Sequence, residues 1–100
     1  MSRTPPKQCD SMKDLRAQID NIDADLIALL AERSTYIDRA VDLKKIENLP
    51  ARTTDRVEEV VQNVRRLSQA QGLDPQLAEV LWRDLIEWAI AREAVHLGGS

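Results

Sequence analysis

The chain has 100 residues, enough for one domain with a modest core, and its 14 basic and 17 acidic residues leave a net charge of −3. There is no basic block and no aromatic stacking pattern, so nucleic acid is not an expected partner. The single cysteine, Cys9, supplies neither a disulfide framework nor a metal cluster and suits a reducing compartment. Without Phe, and with β-branched residues that never alternate in runs, the composition reads as all-α. The start of the chain lacks an apolar leader, and the longest uncharged apolar run, around residues 26–31, is too short to span a membrane. A cytoplasmic protein without a membrane partner is the expectation.

Residues 1–13, with Pro5 and Pro6, are expected to form a flexible N-terminal arm, and residues 14–97 a helical domain. Asp10, Ser11 or Asp14 can cap the helix that follows. Apolar residues then recur at Leu15, Ile19, Ile22, Leu26 and Leu29, and again at Ile37, Ala40 and Leu43. That spacing predicts one helix from Asp14 to Ile46 or Glu47, uninterrupted by Gly or Pro. At 1.5 Å per residue such a helix is about 50 Å long, whereas a compact chain of this size has a radius of gyration of about 13 Å. Two shorter helices cannot cover its whole apolar face, which implies a partner subunit related by two-fold symmetry.

Pro50 prevents simple continuation, and Thr53, Thr54 or Asp55 can begin the second helix, with Asp55 and Glu58 at capping-box spacing. Val57, Val60, Val61, Val64 and Leu67 make the apolar stripe of a helix over about residues 55–70, with Glu58, Arg65 and Arg66 on its solvated side. Gly72 suits a left-handed terminator, and Asp74-Pro75 restarts the chain as N-cap and first helical position, with Leu73 placed to staple against Ala78. The third helix, about residues 75–96, carries Leu77, Leu81, Leu85, Trp88 and Val95 near one face. Val80, Trp82, Ile86 and Ile90 broaden that face, the pattern of a helix packed on two sides. Gly98, Gly99 and Ser100 close the chain.

Cations sit where the core should be. Arg33 falls on the apolar seam of the long helix, and Lys44 lies eleven residues, or about 16 Å, further along the same side. Arg56 opens the second helix. Arg16 is seventeen residues, about 25 Å, from Arg33, so the two share a small site only if the long helices of two chains run antiparallel. Glu93, on the third helix near Trp88 and Ala89, approaches the same region. Arginines and a lysine in a largely apolar pocket suit a small dicarboxylate, because the guanidinium offers paired planar donors and the ammonium a compact charge. No nucleophile is poised there: Cys9 is in the arm, His96 is near the terminus, and Ser34 and Ser68 have no neighbouring histidine. No metal-ligand cluster, phosphate loop or dinucleotide signature is present. If the chain is an enzyme, catalysis at such a site must come from positioning and electrostatics.

Leu15-Arg16, the ID..D pattern at Ile19–Asp23, LLAER at Leu29–Arg33, Lys44, the P.R..DR segment from Pro50 to Arg56 and GLD at Gly72–Asp74 follow one order and spacing. Together they resemble the all-helical chorismate mutase family, with its close relative isochorismate-pyruvate lyase, over roughly residues 12–96. The resemblance implies an intertwined homodimer with two equivalent sites, acting in aromatic amino acid biosynthesis. Arg16 would reach into the partner's pocket while Arg33 and Arg56 line their own, together holding the substrate's two carboxylates. Lys44 would donate to the enolpyruvyl ether oxygen as its C–O bond breaks, in a rearrangement of chorismate to prephenate without covalent intermediate or cofactor.

Four positions depart from the family pattern. Thr53 and Val57 stand where the mutases place acids that contact the ring hydroxyl; the Thr53 hydroxyl can substitute, and Val57 cannot. Ala89 replaces a frequent serine near the ring carboxylate. Glu93 replaces a glutamine that donates to the ether oxygen; an ionised Glu93 would repel the charge developing there, and only the protonated acid donates. The proline-containing arm, Arg56-Val57 and the tryptophan of the third helix are more similar to the lyase branch, which converts isochorismate to salicylate and pyruvate. The Lys44-to-Arg56 spacing is more similar to ordinary mutases. The remaining alternatives are another related shikimate-type substrate and a non-catalytic dimeric binding or regulatory protein.

Overall fold

The computed structural model describes residues 3–98; Met1 and Ser2 of the arm, and Gly99 and Ser100, lie outside the described residues. All the regular structure among them is helical: a 3-10 turn at Pro6–Gln8, then α1 (Met12–Glu47), α2 (Thr54–Gln71) and α3 (Pro75–Leu97). The chain forms two compact units, the first ending at Thr35 and the second beginning at Tyr36, so α1 passes from one into the other. Among the described residues no helix is long and apolar enough to cross a membrane.

In the first unit the arm folds back on the beginning of α1. Ser11 caps the helix, its Oγ accepting from the Asp14 amide at 3.1 Å. The Thr4 amide donates to Gln18 Oε1 at 3.0 Å, and Arg3 pairs with Asp25. Between arm and helix lies a small apolar cavity of about 200 Å³, lined in part by Pro5, Pro6, Cys9, Leu15, Ile19 and Ile22. Further along the seam, Leu26 and Leu29 remain more than half exposed. Within this unit the seam is only partly covered, at its start, by the arm.

In the second unit α2 and α3 pack on each other around Val61, Ile86, Ile90 and Ala51, with Val57, Val60, Ala94 and Leu97 at the margin. Each fully buried aliphatic side chain there contributes on the order of 2 kcal/mol. Arg92 of α3 ties that helix to α1, donating to Asp38 from Nε at 2.6 Å and Nη2 at 3.0 Å while its guanidinium lies 5.3 Å over the Trp88 ring. The hydrogen bond from Arg92, aided by its charge and opposed by desolvation, holds the Asp38 carboxyl below the usual carboxylate range. Arg65 is not the free surface residue expected, because it reaches Glu79 of α3 at 2.8 Å.

Helix ends follow elementary chemistry. Asn48 takes the left-handed conformation at φ 57°, and the Leu49 amide returns to the Lys44 carbonyl at 2.9 Å. Gly72, at φ 76°, closes α2 in the same way, with Gly72 N–H on Gln69 O and Leu73 N–H on Ser68 O. Asp74 caps α3 through the Gln76 amide at 2.9 Å. Two local expectations give way. Thr53 is the N-cap of α2, yet its side chain makes no capping bond and no Asp55–Glu58 box replaces it. Leu73 stays half exposed instead of clasping the buried Ala78.

The buried face of α3 also differs from the one its largest residues indicate. Ala78, Ile86, Ala89, Ile90 and Glu93 are buried, whereas Leu77, Leu81, Trp88 and Val95 are exposed. Close approach of two helices favours small residues at the contact, so the alanines, not the leucines, mark the intrachain side.

Substituting Gly72→Ala, which forces a Cβ into the left-handed region, or Asp74→Ala, which removes the cap, should each cost about 1 kcal/mol. Urea denaturation measures this; an unchanged midpoint for both would remove the end signals from the account of how α2 and α3 are set.

Candidate active site

The C-terminal turns of α1, the connection 48–53, the start of α2 and the second half of α3 converge in the second unit. Lys44 is the centre. Its Nζ donates to the Ala51 carbonyl at 2.7 Å and lies 2.7 Å from Glu93 Oε1. Glu93 is 4% exposed, so this is a carboxylate in the core with an ammonium at its edge. The approach to Oε1 is close enough for an ion pair but off the angle of a hydrogen bond, and Oε1 has no hydrogen-bond partner. Desolvation of such a pair consumes most of its Coulomb energy, which makes it weak evidence of a stabilising device.

Sequence order explains the placement. Lys44 leaves α1 one turn before the Asn48 terminator, and the reversal made there brings Ala51 back over it. Ala51, 2% exposed, is itself part of the apolar cluster. Ala89 lies one helical turn before Glu93 on the same buried face. Val57 is half buried and packs on the cluster, so its position is apolar in fact as well as in identity. Thr53 is half buried and its hydroxyl is not occupied by capping.

A cleft of about 460 Å³ opens beside Lys44, lined also by Lys45, Asn48, Leu49, Pro50, His96 and Leu97. It is polar and cationic. An ammonium has three donors, and the hydrogen bond to Ala51 O uses one of them, leaving two for a ligand or other partners.

Arg56 is not drawn in with Lys44: its side chain is exposed and paired with Glu59 one turn along α2. Arg16 and Arg33 belong to the first unit, Arg16 exposed and Arg33 half buried, and neither meets a carboxylate among the described residues. A half-buried guanidinium on an apolar seam without an internal partner is suited to an anion from outside. No group of His, Cys, Asp or Glu among the described residues is arranged to hold a metal ion.

Two contributors escape sequence reasoning. The Ala51 carbonyl is a backbone acceptor that no side-chain pattern reveals. Arg52 lies inside the P.R..DR segment, but its partner is Glu87, on a different helix; its Nη1 and Nη2 reach Glu87 Oε1 and Oε2 at 2.9 and 2.7 Å.

Comparison with known proteins decides the family. The profile described as chorismate mutase type II matches residues 15–94. The chain belongs to the chorismate mutase type II family. One relative, an isochorismate pyruvate lyase from Pseudomonas aeruginosa, is 33% identical over 89 residues, covering 88% of this chain and 86% of the relative. A bifunctional chorismate mutase/prephenate dehydratase from Aquifex aeolicus is 32% identical over 84% of this chain, but only 24% of the relative. A chorismate mutase from Methanocaldococcus jannaschii is 23% identical, covering 88% of this chain and 89% of its own length. In this family member the matched region includes every candidate site residue from Arg16 to Glu93.

Breaking the central pair from one side should expose its energetics. Lys44→Met leaves a buried, unpartnered carboxylate and is expected to destabilise the fold by about 3 kcal/mol, whereas Lys44→Met with Glu93→Leu should recover most of that loss. Chemical denaturation of the variants measures both; a single variant as stable as the parent would mean that Glu93 does not depend on Lys44.

Proposed function

We propose that this chain rearranges chorismate to prephenate as a homodimer, and the observation that carries the reading is the Lys44 ammonium held between Ala51 O and Glu93 at the mouth of a cationic cleft. Family membership supports an isomerase of this kind. The reaction needs no nucleophile. The bond from ring carbon to ether oxygen breaks while the enolpyruvyl methylene carbon bonds to the ring carbon bearing the carboxylate, and the ether oxygen ends as a ketone. The oxygen becomes more negative along the way. A donor fixed beside it therefore stabilises the transition state more than the substrate. Lys44 is that donor.

Arg33 and Arg56, with Arg16 from the partner, bind the two carboxylates and select the compact conformer in which the reacting carbons approach. Arg56, exposed and held only by the neighbouring Glu59, is free to exchange that surface partner for a substrate carboxylate. The exposed apolar surface supports the dimer. Ile19, Ile22, Leu26, Ile27 and Leu29 on α1, with Leu77, Leu81 and Trp88 on α3, are all at least 40% exposed in the single chain, more large apolar side chains than a monomer commonly leaves in water. Covering them with a second copy brings Arg16 to the other pocket. A soluble protein of the cytoplasm fits the single cysteine and this chemistry.

A second reading is isochorismate-pyruvate lyase. It is favoured by Val57, packed against the apolar cluster where an acid would be needed to recognise the ring hydroxyl of chorismate, and by the Pseudomonas relative. The same cations serve both substrates.

Incubation with chorismate and with isochorismate, followed by product identification, tests the assignment: prephenate from chorismate is expected. Salicylate and pyruvate from isochorismate without prephenate would reverse it, and turnover of neither would point to a binding role. Sharing of sites has its own test. Arg16→Ala and Arg33→Ala should each abolish turnover, while refolding an equimolar mixture should restore about a quarter of parental activity, because half the dimers then carry one intact site of two. No recovery on mixing would place both arginines in one chain's site. Glu93→Gln, whose amide donates without an anionic charge beside the ether oxygen, should turn over chorismate at least as fast as the parent, measured by initial rates. A large loss of turnover in that variant would overturn this role for residue 93.

A further inference from the structure

We infer that Arg52 and Glu87 are positioning residues: their two-point contact pins the connection 48–53 to α3 so that the Ala51 carbonyl holds the Lys44 ammonium at the site. The inference rests on the proposed mutase reading for its kinetic consequence, though not for its geometry. The connection has two fixed ends. At one, Asn48 is left-handed and the Leu49 amide is tied to Lys44 O; at the other, the Val57 amide is tied to Thr53 O at 3.1 Å. Between them, Ala51 holds the backbone to the rest of the unit by burial in the apolar cluster, and Arg52 by its fork on Glu87.

Neither member of the pair is deeply placed. The side chains are 37% and 58% exposed, and an ion pair at such a surface contributes little to stability. Direction is what two parallel hydrogen bonds supply: a planar guanidinium on a planar carboxylate fixes orientation as well as distance. The contact holds the Glu87 carboxyl below its ordinary range and raises the guanidinium, each chiefly through the shared hydrogen bonds, as a formed pair requires. Glu87 lies two residues before Ala89 and six before Glu93 on α3. The clamp therefore ties the residue next to Ala51 to the same helix that presents Glu93.

A lysine needs such help. Its ammonium rides on a four-carbon stem with many rotamers, and here one of its contacts is a carbonyl in a loop without regular secondary structure. When the loop shifts, Lys44 loses Ala51 O and moves with respect to Glu93. A displacement of that size at a donor lowers turnover while substrate binding through the arginines is little changed.

Arg52→Ala and Glu87→Ala are each expected to lower kcat for chorismate about tenfold with KM changed by less than about threefold, and the double variant should lose no more than either single one. Unfolding midpoints should remain near that of the parent. Parental kcat in both variants, or losses that multiply in the double, would overturn the clamp. A second measurement needs no substrate. Brief acetic anhydride treatment followed by peptide mass mapping compares labelling of Lys44 with that of Lys45, and the ratio should rise several-fold in either variant as Lys44 leaves its carbonyl. An unchanged ratio would equally overturn it. If the parent converts neither chorismate nor isochorismate, the mutase reading fails, and the clamp is then judged on Lys44 labelling alone.

Discussion

A single ammonium organises the second unit of this molecule. Lys44 stands at the edge of a hydrophobic cluster, facing a carboxylate that is almost wholly buried and a backbone carbonyl from a loop. A charge in that place is unfavourable unless its neighbours are arranged around it, and the arrangement draws on every part of the second unit. The end of α1 supplies the lysine, the left-handed Asn48 turns the chain, Ala51 returns over the ammonium, and α3 brings Glu93 from the opposite side. Removal of any one of these leaves a buried polar group without its complement. In the proposed reading the core and the chemistry are thus the same set of atoms, and ordinary packing residues such as Ala51 and Val57 bear on function.

The mechanism that fits this arrangement is electrostatic. A unimolecular rearrangement needs a restrained substrate and a donor where negative charge accumulates, and both can be built from fixed cations in a low-polarity surrounding. Nothing in the site must gain or lose a covalent bond. Glu93 gives the site its character: a carboxylate beside Lys44 tempers the ammonium's charge and opposes the charge developing on the ether oxygen. An amide at the same place would donate without that opposition.

Much of the architecture was legible because helix signals are local. The apolar period from Leu15 to Leu43 gave α1, Pro50 its interruption, and Gly72 with Asp74-Pro75 the boundary between α2 and α3. The helical motifs and the cations on the seam, in their order, point to the family that the profile match shows. Facing was less legible. On α3 the large side chains drew attention to the side left exposed, while the intrachain contact uses Ala78 and Ala89, residues whose small size reads as neutral in a sequence. Long-range polar pairs were least legible of all. Arg65 with Glu79, Arg92 with Asp38 and Arg52 with Glu87 join residues far apart in the chain, and no spacing rule specifies them. The immediate environment of Lys44 escaped for a similar reason, since its acceptor is a main-chain oxygen.

Val57 has a consequence for how such an enzyme can change over generations. In the proposed reading it borders the substrate, and it packs against the cluster of Val61, Ile86 and Ile90. Placing an acid there to recognise a ring hydroxyl would put a charge at the rim of the hydrophobic cluster, and an ionisable group taken out of water without a partner is strongly unfavourable. Selectivity and foldability are therefore inherited together at this position. A lineage crossing from one enolpyruvyl substrate to another through residue 57 would first have to accumulate stability elsewhere, which makes the order of its mutations, and not only their identity, part of its evolutionary history.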